Sequence, residues 1–198
     1  MKKLKKLLAV VMMIALMIPV TAFAAEGGSA TKVDISKATT KVTVSSVTFN
    51  GKKANPTIKV TVNGKTLTKN KDYKVAITNA KTGGTYAKGV KIVGIGKYTG
   101  TKYAKLTIKA AANPVKVSKG KNLGAAGLKK KAKTCQITVK NAKGKVTYKS
   151  GSKYLKVSSK GKVTVAKGTK KGTYKIAVKV AGNKNYKAVT KIFTVAVK

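Results

Sequence analysis

From residue 38 onward, apolar and polar residues alternate in short runs, and this pattern constrains the fold more than any other feature. "TKVTVSSVTF", "TIKVTV", "YKVAIT", "YAKLTIK", "CQITVK", "YLKVSS", "KVTVA", "YKIAVKVA" and "IFTVAVK" each repeat with period 2. A period of 2 puts one set of side chains on each face of a strand. The runs are rich in Val, Ile, Thr and Tyr, and turn signals such as "VNGK", "NAKGK" and "SSKGK" separate them. Only "NLGAAGLKKKAK" offers a weak helical pattern. Many short strands at this spacing predict an all-β sandwich or barrel.

One stretch shows how the faces divide. In "GTYKIAVKVAGNKNY", Tyr174, Ile176, Val178 and Val180 share the face expected to meet a core, and Lys175, Ala177, Lys179 and Ala181 share the other. The stretch has a twin 88 residues earlier, "GTYAKGVKIVGIGKY" from Gly84, with seven identities in fifteen ungapped positions. Gly84/Gly172, Tyr86/Tyr174, Gly94/Gly182 and Tyr98/Tyr186 are the matches least explained by composition. A final strand follows each copy. Two related domains are therefore expected, at 38–110 and 113–198, joined at "AANP". Tyr86 and Tyr174 are expected in core or corner positions.

The first 24 residues read differently. "MKKLKK" is a positive stretch, "LLAVVMMIALMIPV" an apolar one, and "AFA" a small-x-small site. This is the pattern of a secretory signal peptide (1–24) cleaved after Ala24. The apolar run is short for a membrane anchor. Residues 25–37 are small and polar and are expected to form a flexible leader. The expected setting is secreted or extracellular, cell-wall association included, and no membrane attachment is expected after cleavage. Cys135 has no partner for an internal disulfide; it shares a strand face with Ile137 and Val139 and is expected to be a buried, small apolar residue.

Charge sets the chemistry. The chain has 45 basic residues, all Lys, against Glu26, Asp34 and Asp72, and it has no His, Arg or Trp. General acid–base catalysis needs His or a tuned carboxylate, and nucleophile systems of the Ser–His–Asp type need His. Glycoside hydrolysis needs two facing carboxylates. Zinc and calcium sites need Cys/His clusters or several oxygen ligands. No catalytic, cofactor-binding or metal-binding residue is expected, and the chain is read as no enzyme. Residues 25–112 hold 17 Lys and the three acids; residues 113–198 hold 24 Lys and no Asp or Glu.

Two groups of motifs carry a resemblance. "LTKNKDYKVAIT" followed by "GIGKYTGT" resembles repeats of bacterial immunoglobulin-like surface proteins of Clostridia-type organisms. "YLKVSSKGKVTVAKGTKKGTYKIAVKVAGNKNYKA" is similar to their group-2 modules. The resemblance implies two tandem Ig-like β-sandwich domains in an extracellular or cell-wall setting. Modules of this kind serve as spacers, stalks or adhesive units. Such proteins often carry an enzyme, a wall-sorting signal or an S-layer module, and none is recognisable here.

Candidate contact residues follow from charge and aromatics. Lys129, Lys130, Lys131 and Lys133 lie in "LKKKAK"; Lys170 and Lys171 lie in "TKKG"; Lys184 and Lys187 flank "NY". These are the candidate polyanion-binding residues, although Lys also serves as an ordinary solvated surface and blocks edge-to-edge strand pairing. The expected partners are anionic cell-wall polymers such as teichoic acid, or anionic glycans. No specific nucleic acid is expected, because groove reading leans on Arg forks and amides. Tyr98 and Tyr186, in turns before the last strands, are candidate stacking residues for a glycan. Asp72 is expected to cap a turn; its other conceivable role is to assist a Lys–Asn isopeptide bond, for which no pattern fixes the partners.

Overall fold

A computed structural model describes residues 31–198, so the expected signal peptide and residues 25–30 of the expected leader lie outside the described residues. In the first domain the strands are β1 (Val33–Asp34), β2 (Thr40–Val44), β3 (Val47–Thr48), β4 (Ile58–Val62) and β5 (Lys65–Thr66), then β6 (Tyr73–Ile77), β7 (Gly84–Gly94), β8 (Tyr98–Thr99) and β9 (Thr101–Lys109). The second domain holds β10 (Lys116–Val117), β11 (Lys121–Leu123), the helix α1 (Ala125–Lys130), β12 (Lys133–Gln136) and β13 (Val139–Lys140). It continues with β14 (Val146–Ser150), β15 (Leu155–Val157), β16 (Lys162–Val165), β17 (Gly172–Val180) and β18 (Val189–Val197).

Each domain is a two-layer sandwich. The four-stranded sheets have the same order and directions: β3-β9-β7-β6 in the first domain and β11-β18-β17-β14 in the second. In each, a short strand runs parallel to the last strand, and the rest pair antiparallel. The second layers differ. In the second domain β16 lies between β12 and β15, which is the immunoglobulin arrangement of strands two, five and four against one, seven, six and three. In the first domain the centre strand is β4, flanked by β2 and β5 from the early part of the chain. The sequence repeat covers what the domains share, the long antiparallel pair. The fold is all-β, two tandem Ig-like sandwiches.

Burial follows the alternation. Ile176, Val178 and Val180 are buried on β17 while Lys175 and Lys179 are exposed. Ile176 and Val178 join Leu128, Ile137, Leu155, Val163, Val165, Phe193, Val195 and their neighbours in the second domain's interior. The first interior is a separate cluster built on Val60, Val62, Leu67, Tyr73, Val90, Ile92, Leu106 and Ile108. Cys135 packs half-buried against the second cluster, and desolvation raises its thiol pKa.

Two features depart from the sequence reading. Ile35 is 0% exposed in the first core, and β1 pairs with β8. Residues 33–37, placed in the leader by their small polar neighbours, therefore belong to the first sandwich. The ungapped repeat also hides a bulge: Tyr86 opposes Leu106 but Val90 opposes Ala104, so β7 carries two residues more than β9 across that interval. β17 pairs with β18 without interruption.

Tyr86 and Tyr174 occupy matching corners. The Tyr174 hydroxyl donates to the Lys170 carbonyl at 2.8 Å, and the Tyr86 hydroxyl to the Thr82 carbonyl at 2.9 Å. Both bonds reach back four residues. Gly84 and Gly172, two residues ahead of each ring, have φ of 151° and 152°, a conformation open to glycine.

Candidate polyanion-binding surface

The far end of the second sandwich gathers the lysines. β18 runs from the inter-domain joint at Val189 to Val197, a rise of roughly 27 Å. Beyond it, the Lys198 carbonyl accepts the Ala125 amide, which fixes the start of α1. The helix is anchored by Leu128, which is fully buried, so Lys129 and Lys130 in its last turn and Lys131 after it face solvent. Lys133 is half-buried, its side chain lying across Gly127.

The loop between β16 and β17 closes onto the same place. The Gly168 amide donates to the Leu128 carbonyl at 2.9 Å. Thr169 is buried and its hydroxyl donates to the Ala166 carbonyl at 2.7 Å. Lys170 and Lys171 follow, both exposed, and the Tyr174 hydroxyl holds the Lys170 carbonyl. Exposed Lys153 and Lys167 join this surface, and they escaped the sequence reading because neither stands in a Lys run. Tyr154, 38% exposed, meets Tyr174 edge-to-face with centroids 6.4 Å apart, and the Lys153 ammonium sits 5.4 Å from the Tyr154 centroid. Tyr154 was not among the residues singled out from sequence. Its signal lay in the "KY" pair beside a predicted strand.

Six of the eight candidate lysines thus share one pole. The structure does not bring Lys184 and Lys187 to it. They lie in the loop between β17 and β18, at the joint with the first domain, where the Lys187 amide donates to the Ala111 carbonyl.

The candidate tyrosines have separate surroundings. Tyr98 packs half-buried against the first core and lines a surface cavity of about 340 Å³ with Thr68, Asp72, Lys65, Lys71 and Lys97. Asp72 caps a turn there, its Oδ2 accepting the Thr68 amide at 2.8 Å. Tyr186 is half-buried at the joint, edge-on to Phe49 with centroids 5.4 Å apart and planes at 81°. Its loop is tied by the Asn183 side chain, which accepts the Asn185 and Tyr186 amides at 2.9 Å each. The Asn185 side chain in turn accepts the Gly83 amide of the first domain at 2.8 Å, and the Asn185 carbonyl accepts the Ala111 amide. Gly83 is buried so closely against the Lys184 carbonyl that a Cβ would overlap it.

Among the described residues no helix is long and apolar enough to cross a membrane. No protein-family model matches the chain. No curated protein matches it. Solved structures with similar layers include Drosophila N-cadherin EC1-3, at 12% identity, 77% of this chain, 63% of that chain and a TM-score of 0.35. Drosophila OTK extracellular domains 3-5 align at 9% identity over 80% of this chain and 62% of that one, with a TM-score of 0.39. The Yersinia pseudotuberculosis adhesin InvE aligns at 12% identity over 86% and 62%, with a TM-score of 0.31. This chain thus spans less than two-thirds of each of these structures. Scores at this level describe short strands in layers and say nothing of role.

Proposed function

We propose that this chain is a non-catalytic, exported structural or adhesive protein of the bacterial Ig-like surface type. It is held to anionic polymers of the cell envelope, teichoic acid or anionic glycans, by diffuse lysine charge. The observation that carries the reading is the second domain itself: 24 Lys, no Asp or Glu, and lysines presented on exposed loops of a folded sandwich. A surface of one sign with no internal counter-charge attracts polyanions and raises encounter rates with them. The signal pattern ending at Ala24 supports export.

The test is a pull-down on whole cell walls and on walls stripped of teichoic acid, across a salt series. Contact through lysine charge should fall steeply with ionic strength and fall on stripped walls. Equal, salt-insensitive binding to both would overturn the proposal. A second reading, a glycan site at Tyr98, is favoured by the cavity beside that ring. It predicts binding that survives salt and is lost in Tyr98→Ala.

A further inference from the structure

The polyanion reading treats the charge as diffuse, but the placement of the loops is not. The geometry points to a discrete binding site at the far pole of the second sandwich for a linear chain of phosphate groups, an inference that rests on the polyanion reading above. Its contacts are Lys129, Lys130 and Lys131 on one side and Lys170 and Lys171 on the other.

Two observations separate this pole from an ordinary solvated lysine face, and a third is shared by the whole second domain. First, its two lysine segments are more than thirty residues apart in sequence and are locked together by one main-chain bond, Gly168 amide to Leu128 carbonyl. Second, both segments are pinned from beneath. Leu128 and Thr169 are buried, and the Tyr174 hydroxyl fixes the Lys170 carbonyl. Ammonium groups on a fixed backbone lose less freedom on binding than the same number scattered over mobile loops. Third, neither segment has an acidic side chain near it in sequence, since none follows Asp72. A lysine ammonium is a compact point charge with rotatable donors. It can meet successive phosphates along a flexible chain without the fixed planar geometry that an Arg fork needs.

The chemistry has two sources, free polyphosphate and a phosphodiester wall polymer, and the experiment uses both as probes. The full chain is compared with a pole variant (K129Q, K130Q, K170Q and K171Q) and with an equal-charge control on exposed residues nearer the joint (K145Q, K149Q, K179Q and K191Q). Affinity for long-chain inorganic polyphosphate and for purified teichoic acid is measured across a salt series. If all four substituted lysines meet phosphates, the slope of log K against log salt should shrink by about 3, using the single-strand coefficient of about 0.7 per contact. At 0.15 M salt that slope change corresponds to a loss on the order of 100-fold, against a few-fold in the control. Preference for polyphosphate over teichoic acid would assign the site to the free polymer, and the reverse would assign it to the wall.

Equal losses in the two variants would overturn the discrete site and leave the diffuse reading standing. No binding of either phosphate polymer by the unaltered chain would overturn both. Tighter binding to a sulfated glycan than to either phosphate polymer would overturn the phosphate assignment. Amine-acetylation footprinting of the unaltered chain gives a readout independent of the variants' folding. Bound polyphosphate should protect Lys129–Lys131, Lys170 and Lys171 before Lys145 and Lys179, and uniform protection would overturn the proposal.

Discussion

Replacing Tyr174 with Phe removes one atom and isolates the corner bond. The ring stays, so its packing on the second core and its edge contact with Tyr154 persist. What is lost is the 2.8 Å bond to the Lys170 carbonyl. A neutral hydrogen bond contributes about 0.5–1.5 kcal/mol net, and this one lies where water can reach the freed carbonyl, so about 0.5–1 kcal/mol is expected. For a domain of this size that is a fall in Tm of about 2–8 °C. Tyr174→Ala should cost more, about 2 kcal/mol, because it also removes a half-buried ring whose full burial would contribute about 3–5. The twin, Tyr86→Phe, loses the carbonyl bond and also a 2.8 Å contact with the Thr82 hydroxyl, so its cost should be no smaller. Urea unfolding followed by residue-resolved hydrogen exchange reads both domains at once. Each Phe variant should lower protection in its own sandwich more than in the other. If Tyr174→Phe leaves the midpoint unchanged while Tyr174→Ala matches it, the corner bond contributes nothing and the reasoning fails.

Gly83→Ala should loosen the joint, because its Cβ would overlap the Lys184 carbonyl; spin relaxation should then show the two sandwiches tumbling more independently, and unchanged relaxation would count against a tight joint. Added salt or polyphosphate should raise the melting temperature of the second sandwich, which carries charge of one sign, and a flat profile from low to high ionic strength would contradict this. Cys135 and Tyr148 both have pKa values raised by desolvation. A folded state that holds its protons more tightly than the unfolded one is stabilised below the unfolded pKa, and that stabilisation is lost as pH rises through the folded value. Stability of the second sandwich should therefore decline above the ordinary thiol value of 9.0, and Cys135 should react with thiol reagents more slowly at pH 8 than a free cysteine.

The strand faces were legible in the sequence because alternation is a local signal, and β17 buries Ile176, Val178 and Val180 as the pattern assigns them, with Tyr174 half-buried. Tyr86 and Tyr174 were legible as corners because their partners lie four residues back. The bulge in β7 was not, since two extra residues on one strand leave its composition unchanged. Ile35 was hidden by the polar residues around it, and its burial depends on β1 finding β8, more than sixty residues away. The Asn185–Gly83 bond spans 102 residues, so no local pattern could announce that the Tyr186 loop forms the joint. The lysine runs were visible, but the Gly168–Leu128 bond that unites them was not.

A chain whose basic residues are all Lys carries a protease cleavage signal at each of them. Trypsin-like proteases cut after Lys, so every basic residue of this chain is a potential scissile site. Such enzymes need several residues of exposed, extended backbone, which loop tips commonly provide. Here a loop with three cleavage signals in five residues, Lys167 to Lys171, has its backbone tied at Gly168, Thr169 and Lys170. The tyrosine corner and the docked helix thus hold this loop in a form that such proteases cut poorly.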